Sequence, residues 1–177
     1  ANDFSAANDA LDTGAGDTAY MSWNATNIYV GYKGFTPLSG ETVSVYFGES
    51  GGTTTPDGAG HPTLPRNFPY RLVWKNDTLS ASIRMWTPGS PGSWGATAIP
   101  VTLGYTGGAG NDYVEFSFAR SAVGTPTVVY MAGGLVNAAG NAYVSVFPNP
   151  PNTNATWTQS YMFELLGAAT PKGSAKN

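Results

Sequence analysis

The chain has 177 residues, a net charge of −3 and only 11% charged residues, against 41% hydrophobic and 13% aromatic content. That balance suits one folded domain with a sizeable core and excludes a disordered chain, which needs few apolar residues and high charge. It leaves no basic excess to steer the protein onto nucleic acid, and with no cysteine there are no disulfides, thiolate nucleophiles or cysteine-held metals.

Period-2 apolar patterns separated by turn residues dominate, and no segment keeps a 3.6-residue repeat for three turns, so the expected class is all-β. "TAYMSW" (18–23) and "IYVGYK" (28–33) flank the turn "NATN" and read as a hairpin. Pairing Trp23 with Ile28 sets Met21 against Val30 and Ala19 against Tyr32 on the core face. Tyr20, Ser22, Tyr29 and Lys33 then take the other face. "ETVSVYFG" (41–48) follows, with Val43, Val45 and Phe47 inward. Residues 48–69 form a Gly/Thr/Pro loop long enough to suggest a role of its own.

"YRLVWK" (70–75) and "TLSASIRMW" (78–86) flank Asn76-Asp77, which predicts a two-residue turn pairing Lys75 with Thr78. Tyr70, Leu72 and Trp74 face inward, while Arg71, Val73, Lys75, Arg84 and Trp86 share the opposite face. After the loop 87–95, "ATAIPVTLGY" reads as one strand interrupted by Pro100, at an edge or bulge. "YVEFSF" points Val114, Phe116 and Phe118 inward, and "ARSAVG" makes one helical turn before Gly124. "TVVYMAGGLVN", "AYVSVF" and "WTQSYMFELL" supply the last strands. The expected fold is an antiparallel two-sheet β-sandwich, jelly-roll-like, with nine or ten strands. Residues 1–167 form the domain, and 168–177 a flexible tail or linker.

Catalysis has few candidates. His61 is the only histidine and lies in the long loop, and Glu115 and Glu164 are the mid-strand acids that a glycosidase pair would need. Asn8, Asp9, Asp12 and Asp17 offer hard oxygen ligands suited to calcium, although Asp/Asn/Gly clusters are also ordinary turn chemistry. The exposed aromatics carry the strongest functional signal. Trp86, Trp94, Tyr20, Tyr29 and Tyr105, near Arg71 and Arg84, could stack on sugar rings or form a protein contact. No apolar run reaches the roughly 18 residues of a membrane span. The Thr, Asn, Gly and Tyr richness with little Lys points to a secreted, extracellular protein.

The order "AYMSWNATNIYVGYKG", "ETVSVYFGE", "DYVEFSFARSAVG" and "ATWTQSYMFELL" resembles family-9-type carbohydrate-binding modules and the wider DOMON-like sandwiches, over about residues 10 to 167. The resemblance implies secretion and ligand binding without catalysis. Glu41 stands where sugar-binding members carry an acid before the third strand. Haem-binding relatives use Met with His or Lys; Met21, Met85, Met131 and His61 are present here, but nothing in the sequence pairs them. The resulting expectation is a non-catalytic domain that binds a polysaccharide or glycan through surface aromatics. Its alternative is a surface, filament or matrix subunit that binds copies of itself.

Overall fold

A computed structural model of the chain describes residues 10–12, 16–34, 40–48, 63–76, 81–86, 94–106, 113–149, 157–165 and 175–176. These residues form β1 (Ala10–Asp12), β2 (Thr18–Trp23), β3 (Asn27–Lys33), β4 (Thr42–Gly48), β5 (Tyr70–Lys75), β6 (Ala81–Trp86) and β7 (Trp94–Ala96). They continue as β8 (Thr102–Thr106), β9 (Tyr113–Ala119), β10 (Val128–Val136), β11 (Tyr143–Phe147), β12 (Tyr161–Glu164) and β13 (Ala175–Lys176). Only β1, β7 and β13 are shorter than four residues, which leaves ten longer strands among the described residues, against the nine or ten that the periodicity predicts. No helix among the described residues is long and apolar enough to cross a membrane.

The strands make an antiparallel sandwich. One sheet runs β1-β2-β3-β9-β8 and the other β13-β12-β10-β4-β5-β6-β7. β10 organises the second sheet: β4 pairs along one side, while β12 and β11 share the other end to end. Alternating apolar residues from both sheets meet in one core, with Phe47 against Phe118 at 5.0 Å and Trp74 against Phe116 at 6.0 Å between ring centroids. The hairpin register is the expected one, with Trp23 opposite Ile28, Met21 opposite Val30 and Ala19 opposite Tyr32. Met21 and Met131 are buried in this core, as packing residues.

Two local expectations are corrected. β5 and β6 pair Trp74 with Ala81, a ladder displaced by two residues from the one a two-residue turn at Asn76-Asp77 would impose. Asn76 is not free to be that corner. It is buried, donates its backbone N–H to Glu41 and accepts the Gly40 N–H through Oδ1 at 2.7 Å, so it prolongs the β4–β5 edge. An even displacement preserves the face assignment. The segment 96–105 is not one strand either. Residues 94–96 close one edge of the second sheet, 102–106 the edge of the first, and Pro100 lies in the crossing where no ladder needs its missing N–H.

The largest departure from simple alternation lies on the outer face of the second sheet. Tyr46, Ala132, Val136, Tyr143, Val146 and Trp94 form a second buried cluster there, covered by Leu64, Phe68 and Trp157. Leu64 and Phe68 belong to the 48–69 loop, whose described end is therefore a packing element. A bulge at Val144 turns Tyr143 to this side, because Leu135 pairs Ser145 while Val136 pairs Tyr143. Gly134 permits the close approach of β11: a Cβ there would strike the Ser145 carbonyl oxygen first and come within 2.9 Å of Tyr143 Cδ1.

The two sheets and their loops are tied by polar contacts that alternation does not predict. Buried Tyr32 donates its hydroxyl to Asp17 Oδ2 at 3.0 Å and also bonds the Ser145 hydroxyl across the sandwich. Burial, then the Asp17 charge, holds the Tyr32 phenol well above its usual range. The expected turn is a 3-10 turn, Arg120–Val123, ended by Gly124 in the left-handed region. Buried Arg120 there donates to the carbonyls of Asn24, Pro126 and Leu165 at 3.2, 2.9 and 3.0 Å. One guanidinium thus joins the β2–β3 turn, the approach to β10 and the end of β12.

Candidate functional site

The residues expected to bind a ligand are scattered: some lie on each outer face, and Tyr105 turns to the core. On the second sheet, Arg71 and Arg84 are paired across β5 and β6, with Arg84 exposed. Arg71 Nε donates to Ser44 Oγ at 2.8 Å, and its guanidinium lies 5.2 Å from the Tyr46 ring centre. Trp94 is buried at 9% exposure, 5.5 Å from the Tyr46 ring, so it is a packing residue and not an open platform. Trp86 stands opposite Trp94 in the β6–β7 ladder, but its side chain lies outside the described part, as does that of Met85. Tyr105, on β8 of the first sheet, packs inward against Trp74 at 5.8 Å. Its ring too was expected outside. β8 closes the sandwich edge, so its odd-numbered residues turn to the core.

Tyr20 and Tyr29 are on the outer face of the first sheet, and this face has the most suggestive geometry. The ladders align Tyr20, Gly31, Glu115 and Gly104 in one row across β2, β3, β9 and β8. Glu115 therefore has a glycine on each side. Next to this row lie Ser22, Tyr29, Ser117 and Thr102, and on its other side Thr18, Lys33, Tyr113 and Thr106. Neighbouring rows on one face are about 7 Å apart along the strands.

Two aromatic groups stand on this floor. Tyr20 and Tyr113 approach across β3, edge to face, at 6.2 Å, a meeting that the missing side chain of Gly31 permits. Tyr113 donates its hydroxyl to Glu115 Oε2 at 3.1 Å, which orients the carboxylate and holds its own ring. Farther along, the Tyr29 hydroxyl accepts hydrogen bonds from Asn24 Nδ2 at 2.9 Å and Asn27 Nδ2 at 3.4 Å. All three rings are half-buried. The result is a polar shelf of fixed tyrosines, one ionisable acceptor and small hydroxyls. Sequence reasoning did not put Tyr113 and Glu115 in the site together. Their shared parity two residues apart was visible, but the flanking glycines come from other strands.

The remaining expectations fall as follows. Glu115 and Glu164 lie on opposite outer faces, on β9 and β12, so they cannot flank one glycosidic bond. Of the calcium candidates, Asn8 and Asp9 lie outside the described residues, and only the backbone of Asp12 is described, opposite Thr18. Asp17 accepts the Tyr32 hydroxyl and packs on Gly34. No group of three His, Cys, Asp or Glu side chains gathers among the described residues. His61 lies outside them, and Glu41 is half-buried at the start of β4. No protein-family model matches the chain, and no curated protein matches it.

Proposed function

We propose that the chain is an extracellular, non-catalytic carbohydrate-binding domain, and that a neutral glycan chain rests on the outer face of the first sheet. The observation that carries this reading is the Tyr20–Tyr113 pair beside Glu115, with Gly31 and Gly104 on either side of the carboxylate. A pyranose ring offers an apolar C–H face to an aromatic ring and hydroxyl donors to a carboxylate; this shelf offers both partners, already oriented. Preformed groups lose little entropy on binding. Repulsion between the Glu115 carboxylate and acidic sugars favours a neutral polymer. The motif resemblance to family-9-type modules points the same way.

The test is retention on neutral polysaccharides in affinity electrophoresis, using the intact chain with Tyr113→Ala and Glu115→Gln. Each variant should lose tenfold or more in affinity, equivalent to about 1.4 kcal/mol, and Glu115→Gln, which still accepts the Tyr113 hydroxyl, should melt like the parent. Binding that ignores both changes, or no binding to any neutral polymer, refutes the reading.

A second reading, a self-assembling subunit, draws on the C-terminal strand. β13 pairs with the outer edge of β12 through Tyr161–Lys176 and Met162–Ala175, and the twelve residues between Met162 and Ala175 far exceed the two to five of an ordinary hairpin. Such a tail could seat on β12 of another copy. Light scattering at rising concentration decides it: assembly abolished by Ala175→Pro supports the reading, and a monomer throughout ends it.

A further inference from the structure

Among the described residues, the layer over the second sheet contains three buried donors without an acceptor: Arg66 Nε, Trp157 Nε1 and Ser160 Oγ. Orphaned donors inside a protein are costly, and native folds seldom leave several together. Register and ring contacts place the three over β10: Trp157 lies 4.9 Å from the Tyr143 ring, opposite Val136, and the other two lie nearer Ala132 and Tyr130. Tyr46 lies opposite Ala132, and the Trp157 ring meets Tyr46 at 5.6 Å. Continuing from the Met131–Tyr161 pair brings Ser160 alongside Ala132 on the other flank. Two residues along the same face of β10, Tyr130 carries the Arg66 guanidinium 3.6 Å above its ring centre. On β10, Ala132 and Tyr130 are about 7 Å apart along one face, and the partner strands lie about 5 Å to either side.

The chemistry of Arg66 narrows the ligand class. Its stacking on Tyr130 uses a face of the guanidinium and leaves the in-plane N–H donors to be satisfied. Nε is turned into the layer, so a matching acceptor must reach Nε–H and an Nη–H side by side. A carboxylate does this with its two oxygens. No carboxylate pairs with Arg66 among the described residues.

We propose that Arg66, with the Ser160 hydroxyl and the Trp157 indole N–H, receives a carboxylate-bearing ligand against Tyr130 on the outer face of the second sheet. This site lies on the opposite side of the sandwich from the glycan shelf and takes an anionic rather than a neutral ligand, so the two stand or fall separately. The carboxylate can come from a sugar acid or from another small organic acid.

The test follows the Arg66 Nε–H and Trp157 indole N–H resonances of the intact chain by NMR while sodium glucuronate, sodium acetate or glucose is added. Both carboxylates should shift both resonances saturably, and glucose should shift neither. Tighter binding of glucuronate than acetate identifies a sugar acid as the source, and equal binding a general carboxylate site. Arg66→Lys keeps the charge but loses the fork, and should weaken glucuronate binding tenfold or more. Should that variant misfold, Ser160→Ala carries the test, since it removes no hydrogen bond from the free protein and should weaken binding several-fold. Ordered water alone on the three donors, no saturable shift, or shifts unchanged in both variants would overturn the proposal.

Discussion

Trp94→Ala separates a packing role from a ligand platform. Trp94 is 9% exposed, and its ring is 5.5 Å from Tyr46 in a cluster that Phe68 and Trp157 also cover. Replacing a buried tryptophan by alanine costs about 3–5 kcal/mol, from lost transfer energy and from the cavity left behind. β7 is a three-residue edge strand that can partly collapse onto the gap, which favours the lower end, about 3 kcal/mol. For a domain of this length about 1 kcal/mol moves the melting midpoint by about 2–4 °C, so a fall of about 6–12 °C is expected. Calorimetry or urea unfolding measures it, with an unchanged m-value as the sign that only stability has moved. A loss below about 1 kcal/mol, accompanied by weaker glycan retention, would mean that the ring is a surface platform and that the second cluster is misassigned.

Arg120→Met should destabilise by about 3 kcal/mol or more in urea unfolding, because three carbonyls in separate segments lose a charged donor; an unchanged midpoint would remove the clamp role. Tyr32 makes an alkaline prediction. Its folded pKa is raised above the unfolded value of about 10, so its contribution is fully present below about pH 10 and is lost as pH rises through the folded value. Tyr32→Phe should therefore lower stability at neutral pH yet flatten its decline above about pH 10. A decline as steep as the parent's, followed by circular dichroism, would contradict this.

Most of the fold could be read from the chain because alternation directly reports which side of a strand is buried. Trp23, Met21, Tyr32 and the Val-Phe-Phe run of β9 sit where their parity puts them. Parity failed where a face turned away from the central core was buried by something else. Trp94 and Tyr46 have outward parity, and only the loop residues Leu64, Phe68 and Trp157 make that side a core. The β5–β6 register was misread because turn chemistry at Asn76-Asp77 is local, whereas the bonds holding Asn76 come from residues 40 and 41. Half of the aromatic shelf was visible, as Tyr20 and Tyr29. Its other half depends on β9 lying beside β3, a pairing between residues 80 to 92 apart that no local pattern encodes.

The most direct test of the glycan shelf is an NMR titration of the chain with a soluble neutral oligosaccharide, following backbone amides. The account predicts saturable changes at Gly31, Gly104, Glu115 and Ser117, and none at Ala132 or Val73. Changes confined to β4, β5 and β6, or none with any neutral oligosaccharide, would contradict it.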